Sequence, residues 1–239
     1  MSWVAHDMEP YAFQRELGIR IAFFPLLLGS YAPDLMTKWF VYGVHIFGHD
    51  LKASDPIQFH RGWPGMGFTH SLAWGVLWCL IFWKGFGSKA WGLSFLVGQW
   101  AHALTDCGDT VGCMLFFPWT QHFHIGAWAY AGQTGRLVDA GAYFSGLGGM
   151  WDLVWIVLGV FSWRVLTRDY FLKVIVPADT MWTRLARRFP ETALLVLYRT
   201  AFFYGTCRWI AWTIWAHVVH HYPYDLTWGG PHWVKAGHP

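Results

Sequence analysis

Residues 141–163 read GAYFSGLGGMWDLVWIVLGVFSW, a run with a single charged side chain, Asp152. About 20 apolar residues in succession are enough to cross a bilayer as a helix, so the run reads as a membrane span. The rest of the chain has a matching composition. Only 13% of its 239 residues are Asp, Glu, Lys or Arg and 55% are hydrophobic, against roughly a quarter charged in ordinary soluble domains. Aromatic residues reach 20%, with 19 Trp, and Trp and Tyr favour the membrane interface because one end is apolar and the other polar. Further apolar stretches lie at about 17–32, 68–86, 90–106 and 192–219. The expected fold is therefore all-α: a polytopic membrane protein with about five transmembrane or half-buried helices. Low charge, the lack of a heptad run and four Cys exclude disorder, coiled coil and a disulfide scaffold. A net charge of +3 gives nucleic-acid binding no support.

Basic residues set the expected orientation, because short cytoplasmic loops are enriched in Lys and Arg. Arg164, Arg168, Lys173, Arg184, Arg187 and Arg188 follow the fourth stretch and are placed inside. Alternate crossings then put Lys84, Lys89, Arg15 and Arg20 on the same side. The loops 33–67 and 107–140 and the tail after 220 fall outside. No cleavable signal peptide is expected, since the first residues carry His6, Asp7, Glu9, Arg15 and Glu16 in place of an apolar core. The expected location is integral to a membrane, such as a bacterial inner membrane.

Ionisable groups in or beside apolar spans are costly and need a partner, a cavity or a metal. Asp34, His70, His102 and Asp106 all fall at the non-cytoplasmic ends of their stretches, and Asp152 lies within the fourth. His102 and Asp106 stand at i, i+4, so one helix face can offer an imidazole nitrogen and a carboxylate oxygen to one ion. The alternative is a hydrogen-bonded pair. Thr69 reads as an N-cap ahead of His70. His60 and Arg61 sit in a Gly- and Pro-rich loop, where Arg61 can hold an anionic oxygen or face lipid head groups. His45 and His49 read as an interfacial helix or a metal or haem pair, and His122 and His124 as exposed loop residues. Arg199 and Arg208 have no acidic partner in their own span; Asp152, lipid and a partner subunit are the candidates. Cys107 and Cys113 allow a bridge, thiol ligation or free thiols, whereas Cys79 and Cys207 read as packing residues.

The segments PDL (33–35), HRG (60–62) followed by GFTHSL (67–72), G-x-x-x-H-x-x-x-D (98–106), T-x-G (110–112) and LFFP (115–118) together resemble the membrane-bound metal-dependent hydrolase family, distantly similar to zinc-dependent phospholipase C. The resemblance covers roughly 18–160. It implies a divalent-metal site, with zinc as the expected ion, made by Asp34, His60, His70, His102 and Asp106, with Asp152 at a later acidic position. It divides the chain into a hydrolase-like membrane domain, 1–163, and a region 164–239 with the basic connection, one further membrane helix and a polar tail. Three departures stand out. WPGMG separates HRG from the THS segment, either Asp109 or Thr110 takes the Thr position, and His6 is left outside the site.

The expected function is metal-dependent hydrolysis of a phosphoester or other ester of a lipid-like substrate. Asp106 or Asp152 would orient or deprotonate a water, and Arg61 would neutralise charge on the leaving side. The alternative is a non-catalytic accessory subunit of a larger membrane complex that keeps the fold. A haem protein is disfavoured, because no helix carries two His at the separation needed to clamp stacked haems.

Overall fold

The structure, a computed structural model, describes residues 3–16, 21–130 and 136–231. It is mostly helical. In chain order α1 (Trp3–Glu16) and α2 (Phe23–Tyr42) lead into a hairpin of β1 (Val44–Ile46) and β2 (His49–Leu51), then α3 (Pro56–Arg61). A 3-10 turn (Gly67–His70) precedes α4 (Leu72–Leu80), which continues as a π turn (Ile81–Gly85), followed by α5 (Lys89–Asp106). Beyond an irregular loop come α6 (Arg136–Ser145), α7 (Leu147–Phe161), the single turns α8 (Arg168–Tyr170) and α9 (Val176–Ala178), α10 (Thr180–Ala186) and α11 (Glu191–Ile214). A last π turn covers Trp215–Val219.

Among the described residues no single helix is long and apolar enough to cross a membrane. The run 141–163 is not one rod. It breaks at Gly146, and α6 and α7 meet at a 71° bend. Glycines make the bend: a Cβ on Gly148 would enter the Tyr143 ring, and one on Gly149 would press on the Phe144 backbone. The stretch 68–86 opens as a 3-10 turn, which leaves only Leu72–Gly85 as its apolar helix. α11 is long, but it carries Arg199 and Arg208. The expected crossing through 17–20, with Arg20, and the tail beyond Pro231 lie outside the described residues.

Two packing centres organise the helices. In the first, α1 lies against α7 and α11 around Met8, Tyr11, Trp155, Tyr198 and Phe202. Tyr11 Oη donates to the Tyr198 carbonyl at 2.7 Å, so its buried hydroxyl is satisfied. In the second, α2 and α5 pack backbone to backbone. A Cβ on Gly29 would overlap the Phe95 carbonyl oxygen, and one on Gly98 would overlap that of Leu26. Small residues let helices approach this closely. The approach brings the Ser30–Asp34 turn of α2 against the last turns of α5. Gly29→Ala and Gly98→Ala are each expected to destabilise by about 1–3 kcal/mol, the usual range for overpacking, and to lower the thermal midpoint. Unchanged melting of both variants would contradict the close crossing.

Candidate metal centre

Asp34, His70, His102 and Asp106 each present one ligand atom within 4.8 Å of the others, and all are buried. They come from three elements whose local reasons are legible. α2 runs through Pro33, which has no N–H to donate to the Gly29 carbonyl, and carries Asp34 in the loosened turn. His70 closes the 3-10 turn, and Ser71, not Thr69, caps α4 by accepting from Trp74 N at 3.2 Å. His102 and Asp106 share one face of α5, with His102 Nε2 at 3.0 Å from Asp106 Oδ2.

Hydrogen bonds fix which ring nitrogen of each histidine is bare. His102 Nδ1 lies 2.6 Å from the Ser30 carbonyl, which can only accept, so Nδ1 carries the proton. His60 Nδ1 lies 2.6 Å from Thr37 Oγ1, and that hydroxyl already donates to the Pro33 carbonyl. His70 Nδ1 lies 3.1 Å from Thr69 Oγ1, whose hydrogen is used on the Met66 carbonyl. A hydroxyl has one hydrogen, so both threonines accept and both imidazoles donate through Nδ1. The bare Nε2 atoms of His60, His70 and His102 are buried without a hydrogen bond. They face Asp34 Oδ1 at 3.4, 3.7 and 3.8 Å. Lone pairs directed at a carboxylate repel unless a cation lies between them. Tying the other nitrogen to an oxygen acceptor is also how metal-binding histidines are oriented. The donor set therefore fits a divalent ion.

His60 belongs to this cage without being one of the four. It stands at the end of α3, whose cap Asp55 accepts from Gln58 N at 2.9 Å. The extra WPGMG segment doubles back over that helix, and Gly67 passes so close to the Arg61 carbonyl that a Cβ there would overlap it. Burial, then the positive charges of Lys38 and Arg61, hold His60 well below the ordinary imidazole range and keep it neutral.

Arg61 is fully buried. It forms an ion pair with Asp106 Oδ2, approaches Asp109 Oδ2 at 3.5 Å and lies over the Tyr130 ring at 5.6 Å. Burial opposes its charge, but the Asp106 and Asp109 carboxylates outweigh that and hold it well above its usual value. No family model, curated protein or solved structure matches the chain. The chemistry of the centre is thus read from these contacts.

Other candidates fall elsewhere. Asp152 is buried outside the group of four and accepts from Tyr143 Oη at 3.2 Å. His45 and His49 are on the exposed β1–β2 hairpin instead of a helix, and His45 Nδ1 meets Asp50 Oδ1 at 2.8 Å. His122 Nδ1 lies 3.1 Å from the Val111 carbonyl. Thr110 Oγ1 accepts from Tyr130 N at 3.1 Å, so Asp109 is the residue that meets Arg61. Arg208 finds Asp7 of α1 at 3.3 Å, not Asp152, and Arg199 Nε donates to the Leu166 carbonyl at 2.9 Å. His6, left outside in the sequence reading, stacks on His102 with ring centroids 4.5 Å apart and planes at 11°. Its Nδ1 lies 3.3 Å from Oε2 of Glu9, which is equally buried.

Proposed function

We propose that the protein is a membrane-embedded metal-dependent hydrolase of the kind its motifs resemble, acting on a phosphoester or other ester of a lipid-like substrate. One observation carries this reading: three buried imidazoles, each anchored through Nδ1, turn bare Nε2 atoms toward one carboxylate oxygen. Asp34, His70, His102 and Asp106 would hold the ion, and mixed nitrogen and oxygen donors favour zinc. Bound there, zinc would acidify a water toward a pKa of about 7 and polarise the scissile oxygen. His60 lines the cage beside Asp34 and is not one of the four. Asp106, besides helping to hold the ion, would orient that water, and its ion pair with Arg61 would fix its direction. Arg61 is thereby a positioning residue acting through Asp106, in place of the leaving-side role expected from sequence. Asp152 receives no catalytic part.

Membrane embedding draws support from the outer faces of the helices. Val76, Leu77 and Leu80 on α4, Met150, Val154, Val157 and Phe161 on α7, and Val196, Phe203, Ile210 and Ile214 on α11 are all exposed. Exposed apolar stripes along three helices suit contact with lipid or a partner. α11 has 24 residues, roughly 36 Å at 1.5 Å each, and its Arg208 charge is met by Asp7. That internal pairing removes one argument for an accessory subunit, since Arg208 already has an acidic partner within the chain. A bacterial inner membrane, with the centre toward the non-cytoplasmic face, suits this reading.

The test is metal analysis of the purified protein, combined with hydrolysis assays on phosphodiester, phosphomonoester and carboxylester lipids. One zinc per chain is expected, removed by chelator together with activity and restored with it. A zinc-loaded protein inert toward all three lipid classes would overturn the hydrolase reading, and a protein that takes up no divalent ion would overturn the centre itself.

A further inference from the structure

Directly after Asp106 the chain turns through Cys107–Gly108–Asp109–Thr110–Val111–Gly112–Cys113. The two cysteines end this loop side by side, with Sγ atoms 3.2 Å apart and both side chains buried. Their proximity is imposed by the backbone. Cys113 exchanges hydrogen bonds with Phe123, N to O at 3.2 Å and O from N at 2.9 Å, and the Cys107 carbonyl accepts from Ile125 N at 2.6 Å. One extended segment, 123–125, thus holds both residues. Gly112, at φ +65°, turns the loop where a Cβ would overlap the Phe123 carbonyl oxygen. Within the ring Asp109 Oδ1 accepts from Val111 N at 2.9 Å and Gly112 N at 2.6 Å, leaving Oδ2 to face Arg61.

We propose that Cys107 and Cys113 form a disulfide that closes this loop and fixes Asp109 against Arg61. The inference stands on loop geometry and does not depend on the hydrolase reading. The bond forms by exchange with an external disulfide, such as oxidised glutathione or a disulfide-forming oxidoreductase. The Cys107 thiolate, at the residue that keeps 7% exposure, attacks one sulfur of the donor and releases one thiol. The Cys113 thiolate then displaces the second donor thiol. Two protein thiols lose two protons and two electrons, and the donor disulfide is reduced to two thiols. Cys79 lies in α4 and Cys207 in α11, outside this loop.

The experiment equilibrates the full-length protein with oxidised glutathione, denatures it without reductant, alkylates it and maps the peptides. Two alkylated cysteines, Cys79 and Cys207, are expected, together with a Cys107–Cys113 linked peptide lighter by two hydrogens. Reduction should restore four reactive thiols and lower the melting midpoint by about 3 °C or more. In Cys113→Ala nothing displaces the second donor thiol, so a lasting glutathione adduct on Cys107 is expected. Four alkylated cysteines after oxidation, a link involving Cys79 or Cys207, or a lasting glutathione adduct on Cys107 in the wild type would overturn the proposal.

Discussion

Arg61→Ala is expected to destabilise the metal-free protein by about 3–5 kcal/mol, the usual cost of removing one partner from a buried ion pair. The guanidinium is fully buried between Asp106 and Asp109. Without it two buried carboxylates remain beside Asp34 with their cationic partner removed. A loss of that size is a large share of the roughly 5–15 kcal/mol that holds a typical domain together. Thermal unfolding after chelation measures it. Arg61→Lys should recover only part of the loss, because an ammonium is a point charge and cannot present a planar fork to two carboxylates at once. An Arg61→Ala protein that melts with the wild type would show that the pair contributes nothing and that Asp106 is held by other contacts.

The parts of this centre that were legible from sequence share one physical signature: a charged or imidazole side chain at the end of an apolar run. Asp34, His70, His102 and Asp106 all carry it, and the structure brings them together. Lys38 did not, because the first apolar stretch stops at about residue 32 and 33–67 reads as a loop. In fact α2 continues through Pro33 to Tyr42, which puts Lys38 one turn beyond Asp34. His6 and Glu9 were hidden differently. They belong to a polar-looking segment that forms a buried helix, and only their i, i+3 spacing marks them as facing one way. The bend at Gly146 was masked by hydropathy, which counts glycine in GAYFSGLGGM as tolerable in a span and is blind to its freedom to turn. The hairpin at 44–51 was masked by an i, i+4 histidine pair. The stronger signal there is Gly43 and Gly48 at φ +86° and +81°, with Phe47 also positive beside the turn.

His102→Ala separates the centre from the packing around it. His102 has two distinct sides: Nδ1 is spent on the Ser30 carbonyl, and Nε2 faces Asp106 and Asp34. Alanine removes the donor that faces both carboxylates while leaving the Gly29–Phe95 and Gly98–Leu26 approach of α2 and α5 intact. Zinc affinity should therefore fall by more than about 100-fold, beyond the 10- to 100-fold typical of losing an outer hydrogen-bond partner. Thr37→Val supplies that milder comparison. It keeps the shape and removes the acceptor that holds His60 Nδ1, and because His60 is not one of the four ligands it should weaken zinc by no more than about 10-fold. The two variants, titrated with zinc alone and checked for folding by thermal melt, give a graded series. Equal affinity in His102→Ala and wild type would place the ion elsewhere in the protein. A folded His102→Ala protein that has lost both zinc and ester hydrolysis, beside a Thr37→Val protein that regains activity at raised zinc, would tie catalysis to the ion these imidazoles hold.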